Sequence, residues 1–195
     1  IFNRDAADKQ VARNERRETG HMWGTNPCSE IILRPYQFCN LSEVVVRESD
    51  TLESLKSKVR LATILGTLQS TLTDFKYLRK VWRDNTEEER LLGVSLTGIM
   101  DHSILSKTVD SPRWLEEMKQ VAVETNRKYA KMLGIPQSAA ITCVKPSGTV
   151  SQLVDAASGI HARHNDYYIR TVRGDNKDPL TVSYTHLTLP TTPRV

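Results

Sequence analysis

The sequence is short of cysteine: among 195 residues there are three, and no two form a CxxC pair. That excludes a disulfide framework and argues against a structural zinc site. It suits a reducing cytosol, where a thiol is buried, metal-bound or catalytic. No apolar run approaches the ~20 residues that cross a bilayer, so no membrane partner is expected. The opening IFNRDAADKQ lacks the apolar stretch of a secretion signal, and the expected compartment is the cytoplasm. It also lacks an initiator Met, so we expect the chain to begin within a longer protein. Charge of one sign is scarce as well. A net charge of +4 mildly favours anionic ligands but is too small to argue for direct nucleic-acid binding. There is no internal repeat and no low-complexity linker. What remains is an ordinary globular composition, 38% hydrophobic and 26% charged, long enough for one domain with a core.

Local patterns predict the elements. Residues 6–17 read as a polar helix leading to a loop at Gly20. Residues 24–40 have loop chemistry around a short apolar run, 31–33. Residues 41–46 are apolar and β-branched, a buried strand. Asp50, with Glu53 three residues on, predicts a capping box. Leu52, Leu55, Val59, Ala62, Leu65, Leu68 and Leu72 keep helical spacing and predict one buried face. Thr86 and Glu89 suggest a second capping box, interrupted at Gly93. Leu92, Val94 and Leu96 alternate like a strand that ends at Thr97-Gly98. Ser111-Pro112 opens a further helix, which Gly134 and Pro136 stop. Residues 139–144 predict another strand, 145–149 a turn, and Val150 the first turn of a helix. Strand and helix alternate three times, which predicts an α/β fold with a parallel sheet and helices outside it.

The end of the chain is unlike the rest. Residues 182–187, VSYTHL, resemble the translation of a transposon-derived sequencing adapter (GTC TCT TAT ACA CAT CT). We expect natural sequence to end near Leu180 or Thr181, residues 1–181 to form the domain, and 182–195 to carry no function.

Two cysteines fall in GTNPCSEIILRPYQFCNLSEV. In extended backbone, side chains two apart share a face, so Asn26, Cys28 and Glu30 would point the same way. An amide and a carboxylate suit neighbouring hydroxyls, and a thiol between them would touch the carbon skeleton. A vicinal diol such as ribose fits that spacing. By itself NxCxE also reads as a small buried Cys beside a surface charge. A second motif, KPSGTVSQL, follows a strand and opens a helix. The N–H groups of Ser147, Gly148, Thr149 and Val150 would converge at that helix N-terminus, where the dipole favours an anion. Gly148 permits close backbone approach, and the hydroxyls of Ser147, Thr149 and Ser151 add donors. GxxxxGK[ST] is missing, so this is no Walker A loop. A plain strand–turn–helix connection with a Ser cap is an equal reading. Lys145 either adds charge beside the turn or is solvated. His161 and His164, in HARH, lack a third ligand, so no metal is assigned. Cys143, in AAITCV, reads as a packed core residue without a role.

NPCSE followed by CNLSEV resembles the thiyl-radical loop of ribonucleotide reductases. GVSLTGIMD, KPSGTVSQL and SGIH resemble the same family. By that resemblance Cys28 would become the thiyl radical and take the 3′ hydrogen of ribose. Glu30 would hold the 3′-hydroxyl and act as base, and Asn26 would hydrogen-bond substrate hydroxyls. Cys39 would be one of two reducing thiols, its partner lying outside this chain. Pro146, Ser147, Gly148, Thr149 and Val150 would bind the substrate phosphates. The implied fold is α/β, part of a ten-stranded α/β barrel with parallel half-sheets and a central finger loop.

The Cys28–Cys39 spacing, PYQFCNLSEV and SGIHARHNDYYIRTVR resemble the adenosylcobalamin-dependent class. Among those the resemblance is to the monomeric type that reduces ribonucleoside triphosphates with thioredoxin. The implied cofactor is adenosylcobalamin, held mostly outside this chain. The implied partners are a ribonucleoside triphosphate, thioredoxin or a similar dithiol, and allosteric deoxynucleotides. Radical chemistry needs a cofactor and an enclosed site, and a reducing thiol pair needs exchange with an external reductant. Two other readings stay open: the large subunit of a metal-dependent reductase, and a nucleotide-binding module that uses KPSGTVSQL alone. The chain by itself is expected to be inactive and, with open strand edges, prone to aggregate.

Overall fold

The computed structural model describes residues 2–13, 16–106, 109–169, 171 and 173–187, the side chains of 184–187 aside. In chain order the elements are α1 (Arg4–Ala12), β1 (Gly24–Thr25), β2 (Ile32–Leu33), β3 (Asn40–Val45), α2 (Leu52–Gln69), α3 (Lys80–Glu89), β4 (Leu92–Thr97), a 3-10 turn (Ile99–Asp101), α4 (Ser111–Leu133), α5 (Thr149–Leu153) and α6 (Pro179–Leu187). They divide into two units, Ile1–Arg163 and His164–Val195. Among the described residues no helix is long and apolar enough to cross a membrane.

The first unit is organised by a parallel sheet. β3 and β4 pair from Asn40 opposite Leu92 to Val45 opposite Thr97, joined through α2 and α3. Residues 139–144 lie along the other side of β4. Leu92 N–H donates to Ala140 O, Val94 N–H to Ile141 O, and Cys143 N–H to Val94 O, with a parallel bridge between Val94 and Thr142. The expected strand–helix alternation is therefore present, its third strand reduced to that bridge.

In this register Val44, Val46, Leu92 and Val94 reach one face of the sheet. There they pack with Leu55 and Val59 of α2, Trp114, Met118 and Ala122 of α4, and Ile141. Each fully buried aliphatic side chain contributes about 1.5–3 kcal/mol. The opposite face carries Leu41 and Cys143, over which Ile31 packs. Gly93 is what lets them meet: a Cβ there would lie 2.5 Å from Leu41 Cδ2, 3.1 Å from Cys143 Sγ and 3.2 Å from Ile31 Cδ1.

Several local expectations are corrected. α1 starts at Arg4, because the Asn3 side chain accepts from Ala6 N–H and caps it, and it ends at Ala12. The cap of α2 is Thr51, in a reciprocal box with Ser54; Asp50 accepts from Ser54 Oγ, Arg47 N–H and Lys58 instead. The leucine face of α2 divides. Leu55 and Val59 are buried, whereas Leu65, Leu68 and Leu72 are exposed. The C-terminal half buries Thr63, Thr67 and Ser70, whose hydroxyls donate to Val59 O, Thr63 O and Thr67 O. Small satisfied side chains there admit Asn126 of α4. It donates to Thr67 Oγ1 and Ser138 Oγ and accepts from Ser138 N–H. Thr86 and Glu89 end α3 rather than begin a helix, and Arg90, at φ 43°, terminates it in the left-handed region. The expected boundary at 181 is a separate matter: it falls within α6 of the second unit, which leaves that expectation as it stood, and residues 188–195 of the expected tail lie outside the described residues.

Candidate active site

The thiol loop is a hairpin, not an extended strand. Gly24 pairs with Leu33 and Thr25 with Ile32, antiparallel. Asn-Pro at 26–27 favours a turn, because Pro pre-sets φ and the Asn amide bonds the local backbone. Ser29 N–H donates to Asn26 O, Asn26 N–H to Ile31 O, and Ile31 N–H to Asn26 Oδ1 at 3.1 Å. Ser29 takes φ 63° to complete the reversal. The period-two expectation therefore fails: Asn26, Cys28 and Glu30 do not share a strand face. Cys28 is exposed on the turn, while Glu30 turns inward, its side chain 1% exposed.

A buried polar clamp holds this hairpin. Arg17 donates from Nε to Glu89 Oε1 at 2.8 Å and from Nη2 to Glu89 Oε2 at 2.9 Å, with side-chain exposures of 5% and 6%. Its Nη1 donates to Ile32 O in β2 at 2.7 Å, and its guanidinium lies 4.6 Å over the Trp23 ring. Gln37 accepts from Arg17 and donates to Glu89. Arg34 pairs with Glu88 at the rim. The sequence marked Glu89 only as part of a capping pattern and did not pair it with Arg17, because the two are 72 positions apart.

The two motifs meet at one ion pair. Lys145 Nζ lies 3.2 Å from Glu30 Oε1, 115 residues away in sequence. The other oxygen, Oε2, is buried and has no hydrogen-bond partner. Burial pushes the Glu30 carboxyl up, but its own backbone N–H, the Asn26 amide and Lys145 together hold it below the ordinary value. Burial pushes Lys145 down, and Glu30 outweighs that to hold it up. Burial, then the Glu30 charge, raise the Cys39 thiol. Cys143 is pushed up to about 12 by burial, then by Glu30 and Cys39. Cys143 is half-buried and packs with Ile31 and Leu41 over Gly93, the packing role expected of it.

At the KPSGT turn, Pro146, Gly148, Thr149 and Val150 are exposed and Ser147 is buried. Ser147 Oγ accepts from Ser151 N–H at 3.2 Å, and Ser147 O accepts from the hydroxyls of Ser151 and Ser158. The Ser151 hydroxyl is thus spent as a donor in holding the turn, contrary to the expectation of a free donor, whereas Ser147 Oγ serves the turn as an acceptor. The first N–H groups of α5 have no intrahelical acceptor. SGIH stands behind the turn. Gly159 N–H donates to Thr97 Oγ1 at 3.0 Å, and at φ +56° its missing Cβ would lie 2.5 Å from Lys145 O. Thr97 Oγ1 donates to Ala157 O, and Asp101 accepts from Ala157 N–H while pairing with Arg163. GVSLTGIMD and SGIH are thereby explained as two halves of one buttress. Both His161 and His164 are exposed, and the described residues contain no cluster of three metal-ligating side chains.

No protein-family model matches the chain. Curated proteins do. It is 32% identical over 200 residues to the adenosylcobalamin-dependent ribonucleoside-triphosphate reductase of Lacticaseibacillus paracasei, over 89% of this chain and 26% of that protein. To the protein of the same description from Lactobacillus delbrueckii subsp. bulgaricus it is 29% identical over 186 residues, covering 83% of this chain and 25% of that one. A probable adenosylcobalamin-dependent ribonucleoside-triphosphate reductase of Dictyostelium discoideum is 32% identical over 151 residues, 77% of this chain and 19% of its own. A crystal structure of a B-12 dependent (class II) ribonucleotide reductase superposes with a TM-score of 0.59 at 26% identity, over 71% of this chain and 22% of that one. The chain belongs to the ribonucleotide reductase family.

It spans about a quarter of the length of the first two of these relatives. Within that span the hairpin thiol, the buried carboxylate, Cys39 and the KPSGT turn belong to a single mixed α/β unit. Lys145 and the Arg17–Glu89 clamp complete the neighbourhood; the sequence reading had left Lys145 open between added charge at the turn and a solvated lysine, and had given the clamp no site role.

Proposed function

We propose that this chain supplies the thiol, carboxylate and phosphate turn of an adenosylcobalamin-dependent reductase. Its reaction would convert ribonucleoside triphosphates to 2′-deoxyribonucleotides. The observation that carries this reading is the Lys145–Glu30 contact, which brings the NPCSE hairpin against the KPSGT turn. Cys28, exposed on the turn, would hold the thiyl radical and take the ribose 3′ hydrogen. The free oxygen of Glu30 would accept the 3′-hydroxyl proton, and Asn26, whose amide already closes the turn, would hydrogen-bond the substrate. Cys39 and a second thiol from outside this chain would give up two electrons and two protons as the 2′-hydroxyl leaves as water, ending as a disulfide. Thioredoxin or a similar dithiol would reduce that disulfide. Gly148, Thr149 and Val150 would present N–H groups to phosphate oxygens, with Pro146 and Ser147 shaping the turn.

Cys28 fits the cofactor's chemistry, being open to a group held outside the described residues. When bound, adenosylcobalamin supplies the radical. The parallel strands, with the hairpin on one face, support a place in a ten-stranded barrel whose central finger is that hairpin. We place the reaction in the cytoplasm, and deoxynucleotide effectors at regions beyond this chain. Residues 182–195 we read as adapter-derived and without function.

The test uses the complete coding sequence recovered from its source. The purified enzyme is incubated with CTP and a dithiol, with and without adenosylcobalamin, and deoxynucleotide is quantified. Product is expected only with the cofactor and is lost in Cys28→Ser, whose O–H bond is too strong to replace S–H. Cofactor-independent product would overturn the class, and an active Cys28→Ser the mechanism.

A further inference from the structure

A buried carboxylate oxygen without a donor is costly, and in a native fold it calls for a reason such as a bound water, an ion or a catalytic role. Glu30 Oε2 is in that position, in a side chain 1% exposed. Its twin Oε1 is occupied by an ammonium that arrives from the far motif. Lys145 is itself rigidly mounted. Its carbonyl lies where a Cβ on Gly159 would fall, and two positions on Ser147 is tied to Ser151 and Ser158. The ammonium therefore reaches Glu30 from a backbone whose place is set by the phosphate turn.

We propose that Lys145 is the positioning residue of the site: by occupying Glu30 Oε1 it orients the carboxylate and leaves Oε2 as the acceptor for a substrate ribose hydroxyl. This rests on the reading of the site given above. It adds that the base and the phosphate turn are one unit, so seating the phosphates fixes the distance from the ribose to the base. Other groups face the pair. Cys39 and Cys143 both sense the Glu30 charge, and Cys28 bears on Lys145. Glu43 bears on Cys143. Arg17 lines a cavity of about 180 Å³ with Glu30, but its guanidinium is engaged by Glu89. Among these, Lys145 alone contacts Glu30 as an ion pair in the described residues.

The experiment follows the Glu30 carboxyl by carbon-13 NMR with labelled glutamate through a pH titration of the complete enzyme, as wild type, Lys145→Met and Lys145→Arg. In Lys145→Met the buried carboxylate loses its counter-charge, so its titration moves to higher pH. Lys145→Arg restores the wild-type curve. An unmoved Glu30 curve in Lys145→Met would mean that the ammonium does not hold the carboxylate, and that result overturns the proposal. In the complete enzyme, Lys145→Met is expected to shift the acid limb of the kcat/KM profile in the same direction. An unshifted limb would overturn the catalytic consequence. Should the carboxyl titration shift as expected while Glu30→Gln keeps full turnover, the functional reading fails and the pairing stands.

Discussion

Replacing Arg17 by Met tests whether the hairpin is held by the buried clamp. The change keeps most of the aliphatic length and removes the charge. Glu89 would then remain in a site where its side chain is 6% exposed, with Gln37 bonded to one oxygen and Arg34 only 3.9 Å away. Two charge-assisted hydrogen bonds are lost at about 1.5–3 kcal/mol each, together with donors to Ile32 O and Gln37. Residual partners and entering water reduce that sum, so we expect a net loss of about 3–4 kcal/mol, within the usual range for breaking a buried pair. For a unit of this size that lowers Tm by roughly 10 °C. The assay is urea unfolding followed by tryptophan fluorescence, since Trp23 lies under Arg17. A double variant, Arg17→Met with Glu89→Leu, removes the stranded charge and should recover most of the loss. Hydrogen exchange at Ile31 and Leu33 should quicken in the single variant and return toward wild type in the double. A single-variant loss below about 1 kcal/mol, the value of a surface pair, would refute the reasoning, as would a double variant no more stable than the single.

Further outcomes are expected. Gly159→Ala should loosen the KPSGT turn, because a Cβ would meet Lys145 O at 2.5 Å from a left-handed backbone; phosphate-protected hydrogen exchange at 148–150 would report it. Asn126→Ala should cost about 3 kcal/mol in urea unfolding, since it breaks three buried hydrogen bonds at about 1 kcal/mol each. In thiol labelling of the native chain, Cys28 should react first and Cys143, pushed up to about 12, last, with all three reacting in denaturant. Burial raises the Asp101 carboxyl, but Arg163 and the Ala157 N–H outweigh it and hold the group low. Its stabilisation is therefore present above 3.8 and lost as pH falls through the lower folded value. Asp101→Asn should flatten that part of the acid unfolding profile, and an unchanged slope would count against the assignment.

Local signals read well where the cause is local. The strands at 41–46 and 92–97 and the helix opened by Ser111-Pro112 follow from side-chain type, spacing and caps within a few residues. The cap of α2 was misplaced by one residue because Asp50 and Thr51 can both cap, and the choice fell to Thr51 once Lys58 and Arg47 engaged Asp50. The leucine spacing of α2 misled for a different reason. Helical periodicity states which residues share a face, not which neighbour covers it, and α4 covers the Thr63–Thr67 stripe with Asn126. Thr86 and Glu89 matched a capping pattern, yet Glu89 had a stronger partner in Arg17.

The sequence by itself determined the chemical inventory: a thiol flanked by an amide and a carboxylate, a second thiol, and a glycine turn at a helix start, in an order that marks the family. It also determined the strand–helix alternation, since both are properties of neighbouring residues. Tertiary structure alone decided that Glu30 faces inward and Cys28 outward, because the Asn26-Pro27 turn cancels the period-two rule. It alone decided that Lys145 meets Glu30 across 115 residues. That contact depends on two parallel strands in register with residues 139–144 bridged to β4, a hairpin seated over Gly93, and a clamp from Arg17 to Glu89. None of these can be read from spacing, because an ion pair is set by distance in space and not by separation along the chain.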